Sequence, residues 1–142
     1  MESLRVSDHM NSRPVTFNLE MSVAEAVENL LKVQQTGGPV IDEKNKVVGF
    51  LSEQDCLVRM LESSYYREQV CRVKDIMRSD VVAIKPYLSV IELAQQMSVN
   101  KPKIYPVVDD DGYLLGTINR TAILKAIDIH LRDAYPVAGK VT

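Results

Sequence analysis

Displaced by 67 residues, the chain aligns with itself without a gap, and no other feature restricts its fold as much. Val6-Ser7-Asp8-His9-Met10 falls on Val73-Lys74-Asp75-Ile76-Met77, and Ser22-Val23-Ala24-Glu25 falls on Ser89-Val90-Ile91-Glu92. Pro39-Val40-Ile41-Asp42 falls on Pro106-Val107-Val108-Asp109, Gly49 on Gly116 and Leu57 on Leu124. Between 6–57 and 73–124 there are 13 identities in 52 positions; chance gives roughly three, so the chain is an internal duplication. A copy of about 55 residues is marginal as an independent core. Two copies, and no longer array, point to a pair closed face to face about a pseudo-two-fold axis.

The pattern within each copy predicts β-α-β-β-α. In the first, residues 3–11 form a short helical turn and Pro14–Phe17 an extended piece. Ser22 opens a helix with Glu25 as its capping partner, and Val23, Ala26, Val27, Leu30 and Leu31 share its inner face. Thr36-Gly37-Gly38 is expected to stop it. Pro39–Ile41 and Val47–Leu51 make a hairpin around a polar turn, and a second helix follows from Ser52. The second copy repeats the programme. Val81–Ile84 is extended, Ser89 and Glu92 cap a helix, and Ile104–Val108 and Tyr113–Ile118 form the hairpin. Asn119 begins the last helix, with Ile123, Leu124, Ile127 and Leu131 on its apolar face. The organisation is therefore α/β, with repeat one at 3–63, a connector at 64–72, repeat two at 73–131 and a tail at 132–142.

Composition narrows the function. The chain is 46% hydrophobic and 25% charged, ordinary for a globular protein. A net charge of −2 with scattered basic residues argues against nucleic acid as partner. No apolar run reaches the length of a membrane span, and the N-terminus lacks the apolar core of a signal peptide. Cys56 and Cys71 lack Cys-x-x-Cys spacing and read as free thiols of a cytoplasmic protein. His9 and His130 have no ligand cluster beside them, and Asp109-Asp110-Asp111 reads as a hairpin turn, so no metal site is expected. No catalytic set or Gly-rich phosphate loop is suggested by position, so no catalytic residues are assigned.

One stretch carries candidate chemistry: Gly49-Phe50-Leu51-Ser52-Glu53-Gln54-Asp55, where a strand hands over to a helix. Free N–H groups and the helix dipole favour a phosphate there, and a carboxylate one turn in can accept from two sugar hydroxyls. Ser-x-x-Asp is equally the pattern of a capping box. The duplication helps to separate the two. The second copy has Asn119 and Ala122, so a cap is kept in both copies but a carboxylate in only one.

In order and in duplicate, the Val-x-Asp-x-Met opening, the Pro-Val-hydrophobic-Asp strand and Gly-h-h-Ser-x-x-Asp resemble the tandem cystathionine-β-synthase (CBS) domain pair, or Bateman module, over residues 3–131. The resemblance implies two clefts between the repeats for an adenine nucleotide (AMP, ADP or ATP) or S-adenosylmethionine. It implies a first cleft of Phe50, Leu51, Ser52 and Asp55 from repeat one with Val82, Lys103 and Ile104 from repeat two, Lys103 meeting phosphate. The second, weaker cleft would use Met10, Val15, Thr36, Gly37, Asn119 and Arg120. The expectation is a non-catalytic regulatory module that signals to an effector protein and pairs into a homodimer through apolar helix faces. The alternative is a ligand-free scaffold for dimerisation or partner binding.

Overall fold

The computed structural model describes residues 4–62, 71–97 and 102–134. A 3-10 turn at Val6–Asp8 precedes β1 (Phe17–Asn18), α1 (Val23–Val33), β2 (Gly37–Ile41), β3 (Val47–Ser52) and α2 (Glu53–Met60). The second copy supplies α3 (Val73–Ile76), α4 (Val90–Gln96), β4 (Ile104–Val108), β5 (Leu114–Asn119) and α5 (Arg120–Ala134). Most of the expected connector, residues 64–70, lies outside the described residues, as do residue 63 at the end of repeat one and 135–142 of the tail; residues 132–134 continue α5.

In the first copy β1 runs parallel to β2, which pairs antiparallel with β3. In the second, β4 and β5 pair antiparallel, and a parallel bridge from Ile84 to Val107 stands where β1 would be. Phe17 pairs with Val40 at the equivalent register, so the two copies share one topology. Across the junction Val47 N donates to Gly112 O (3.2 Å) and Leu114 N to Asn45 O (2.9 Å). The 67-residue offset exchanges these two bonds, and so marks the pseudo-two-fold axis.

The local signals explain most element ends. Ser22 Oγ accepts from Glu25 N, and Val23, Ala26 and Leu30 are buried along one stripe of α1. Leu31, expected inward, is 69% exposed; it lies one residue, or about 100°, round the helix from Leu30. The glycines do not stop α1. Gln34 does, in the left-handed conformation at φ 57°, with its N–H on Leu30 O. Gly37 and Gly38 instead lie in β2, where a Cβ on Gly38 would stand 2.2 Å from Val15 O. On α5, Ile123 and Ala126 are buried, but Leu124 is 68% exposed.

The core has an arrangement that a repeat-by-repeat reading does not show. Val6 of repeat one packs with Ile84, Val90, Leu93, Tyr105, Val107 and Ile118 of repeat two. Val73 of repeat two packs with Phe17, Ala26, Leu30, Val40, Leu51 and Cys56 of repeat one. Each copy thus lends its leading turn to the other. Backbone bonds fix the exchange: Val6 N to Leu88 O and Ser7 N to Pro86 O, mirrored by Val73 N to Met21 O and Lys74 N to Leu19 O. The lent segment then pairs with the far hairpin. Asn11 and Thr117 exchange N–H···O bonds, as do Arg78 and Phe50.

Gly49 and Gly116 permit this approach. A Cβ on Gly116 would stand 2.4 Å from Asn11 O, and one on Gly49 2.5 Å from Met77 Sδ and 2.9 Å from Arg78 O. Gly116→Ala meets backbone held by two hydrogen bonds, so it should destabilise the fold by about 1–3 kcal/mol. Urea denaturation checks this, and an unchanged midpoint would contradict the close approach.

Candidate functional site

A cavity of about 940 Å³ lies between the repeats. Repeat one contributes Val27, Leu30 and Leu31 of α1, Thr36 before β2, Phe50 and Ser52 of β3, and Glu53, Cys56, Leu57 and Met60 of α2. Repeat two contributes Arg78, Asp80, Val81 and Val82 from the segment after α3, and Pro102, Lys103, Ile104 and Pro106 around β4. Apolar walls of this kind accept a flat hydrophobic ring, while the few polar groups fix its orientation.

Of the residues expected in the first cleft, Phe50, Ser52, Val82, Lys103 and Ile104 line this one cavity. Leu51 does not. It alternates inward along β3, is fully buried and belongs to the core. Asp55 is not on the cavity wall either. It contacts two residues that are, Ser52 and Arg78.

The Asp55 carboxylate divides its oxygens. Oδ2 accepts from Ser52 N (3.0 Å) and from the Ser52 hydroxyl (2.8 Å), while Asp55 N donates to Ser52 Oγ (3.1 Å). This is a complete capping box on α2. Oδ1 faces Arg78 Nε at 3.5 Å. The Asp55 side chain is 14% exposed and that of Arg78 64%, so the ion pair spans the two repeats at the edge of the cavity.

The residues expected in the second cleft occupy varied positions. Thr36 lines the first cavity, and its carbonyl accepts from Glu53 N, the start of α2. Gly37 is buried in β2 against the Phe50 ring. Met10 packs on the repeat-two core and Val15 on the repeat-one core. Asn119 Oδ1 accepts from Ala122 N (2.8 Å), capping α5, and Arg120 N donates to Lys103 O. At the positions of Phe50, Asp55 and Arg78 the other copy has Thr117, Ala122 and Asn11, so it lacks both members of the ion pair.

The sequence reading missed Arg78, Asp80, Cys56 and Met60. For Arg78 a signal existed, since it directly follows the Val-x-Asp-x-Met segment. Its place on the cavity depends on that segment crossing to the other repeat. Away from the cavity, Asp109 Oδ1 accepts from Asp111 N and Tyr113 N, so this carboxylate closes the second hairpin.

The CBS domain family model matches residues 6–62 and 73–129, and the chain belongs to that family. It is 31% identical over 126 residues to inosine-5'-monophosphate dehydrogenase of Methanocaldococcus jannaschii, covering 89% of this chain and 23% of that protein. The chain thus spans about a quarter of the length of the first curated relatives it matches. Among solved structures it resembles CBSX2 in complex with AMP, at 28% identity and a TM-score of 0.78, covering 90% of this chain and 99% of that one. It also resembles CBSX2 from Arabidopsis thaliana, at 26% identity and a TM-score of 0.80, covering 92% and 98%. Among the described residues no helix is long and apolar enough to cross a membrane.

Burial, with Asp55, Cys71 and Glu53 nearby, pushes the Cys56 thiol up to about 11. At pH 8 roughly one thiol in a thousand is then thiolate, against about a quarter for an unperturbed cysteine. Iodoacetamide at pH 8 should label Cys56 at least about a hundredfold more slowly in the folded protein than in urea. Peptide mass spectrometry checks this, and equal rates would contradict the burial of the thiol.

Proposed function

We propose that the cavity between the repeats binds an adenine ribonucleotide and that the chain acts as a non-catalytic regulatory module. The observation that carries the reading is one cavity joining apolar walls (Phe50, Val82, Ile104) to a polar end of Ser52, Arg78 and Lys103, with Asp55 in contact with Ser52 and Arg78. The base would lie between the apolar walls. The ribose diol would reach the Asp55 carboxylate, and the phosphate would meet Lys103 and the start of α2. The complex of CBSX2 with AMP, whose chain is matched over 99% of its length, supports this class of ligand. AMP, ADP, ATP and S-adenosylmethionine are the compounds to compare. A ligand clamped between the repeats would shift their relative arrangement as far as its affinities for the two states differ. A cytoplasmic effector protein would read that shift.

One observation favours the alternative of a ligand-free scaffold: Asp55 is already engaged, by its cap and by Arg78. Calorimetry and thermal denaturation separate the two. A sensor is stabilised saturably, by ~2.7 kcal/mol at a hundredfold excess over Kd; a scaffold is not. Asp55→Asn should weaken the nucleotide by roughly ten- to a hundredfold, since charged hydrogen bonds to two hydroxyls become neutral ones. Its cost in stability should stay near ~1 kcal/mol, that of a weakened cap. Unchanged affinity with a lowered melting temperature would make the carboxylate a cap alone.

The apolar residues left exposed on the helices, Leu31, Leu57, Val58, Leu61, Leu124 and Leu131, favour a homodimer that covers them. Light scattering at micromolar concentration should return twice the 16.0 kDa chain mass. A monomer mass would end this part of the reading.

A further inference from the structure

Arg78 faces the oxygen of Asp55 that the cap leaves available. Oδ2 is committed to Ser52 N and Oγ, and Oδ1 faces the Arg78 guanidinium at 3.5 Å. Ser52 and Arg78 line the cavity, and both contact the carboxylate. The guanidinium therefore competes with a sugar hydroxyl for Oδ1. Arg78 is built to move. Its backbone is held by two 2.9 Å bonds to Phe50, yet its side chain is 64% exposed. The guanidinium fork fits a phosphate as well as a carboxylate. A phosphorylated sugar would offer it a second anion as the first is taken; a neutral sugar would offer none.

Two further observations agree. The other copy has neither member of the pair: Asn11 stands at the position of Arg78 and Ala122 at that of Asp55. Among the described residues Lys103 is the other cation on the cavity wall, so a phosphate there lies between Lys103 and Arg78.

We propose that Arg78 is the specificity-determining residue of this cleft: it occupies Asp55 in the empty site and yields it to ligands whose phosphate takes the guanidinium in exchange. The site therefore selects nucleotides over the corresponding neutral nucleosides. This rests on the ribonucleotide reading above.

The test titrates AMP and adenosine calorimetrically into the unaltered chain, Arg78→Ala and Arg78→Lys. The unaltered chain should prefer AMP by tenfold or more. In Arg78→Ala, AMP should weaken at least tenfold while adenosine affinity does not fall, because its diol no longer competes for Asp55. Arg78→Lys should restore part of the preference, since it keeps the charge without the fork. Lys103→Ala should weaken AMP without tightening adenosine, which separates simple loss of a cation from exchange at Asp55. If Arg78→Ala binds both compounds with the preference unchanged, or loses adenosine along with AMP, the proposal is overturned and the ribonucleotide reading stands. If the unaltered chain binds neither, that reading falls and the proposal with it. Should Arg78→Ala lose its melting transition, Arg78→Gln keeps the aliphatic stem and carries the same comparison.

Discussion

The reciprocal burial of Val6 and Val73 is the constraint on which the rest of the molecule depends. Each valine is fully buried, and each completes the core of the repeat it does not belong to. A single copy would leave its own core open and its leading turn without a seat. About 55 residues offer too little apolar burial to tolerate that loss. The exchange also builds the site. Val73 seats in repeat one, the chain passes Met77 over Gly49, and Arg78 pairs with Phe50 at the edge of β3. The segment that closes the core of repeat one thus brings a cation from repeat two to the carboxylate of Asp55.

Within this symmetric frame the polar chemistry is not symmetric. Backbone features obey the 67-residue offset closely: the paired bonds at the axis, the lent turns, and the glycines facing Met10 and Met77. Asp42 and Asp109 also close their hairpins alike, but the Asp55–Arg78 pair has no counterpart. Ser52 and Asn119 both cap the helix that follows, but only the first copy adds a carboxylate. One copy therefore adds a carboxylate and an ion pair to the frame, whereas the other shows the frame without them. In this internal comparison Asp55 makes one contact beyond its cap. Its second oxygen faces Arg78 across the repeat junction, a contact that capping does not require.

The duplication, the order of elements and most helix starts were legible in the sequence, because they rest on near-neighbour chemistry. Ser22, Ser52 and Asn119 accept from N–H groups three residues on, so their role is fixed by local geometry. The apolar stripe Val23, Ala26 and Leu30 follows from helical period alone. Local signals misled where another segment decided. Gly37-Gly38 looked like a helix stop; they are glycines because the Val15 carbonyl and the β3 backbone lie against them. Leu31 and Leu124 looked inward, but among the described residues both side chains stay exposed, Leu31 at the cavity.

For the site, sequence alone determined that Ser52 and Asp55 sit together at a helix start and that the two copies differ there. It also placed Phe50, Val82, Lys103 and Ile104 in one cleft, through resemblance to a family. Tertiary structure decided the rest: Leu51 turned into the core, Thr36 came to the first cavity, and Arg78 stood over Asp55. The physical reason is range. A cap spans three residues and is written in them, whereas the Arg78–Asp55 pair spans 23 residues and exists only because Val73 found its place in the other repeat's core.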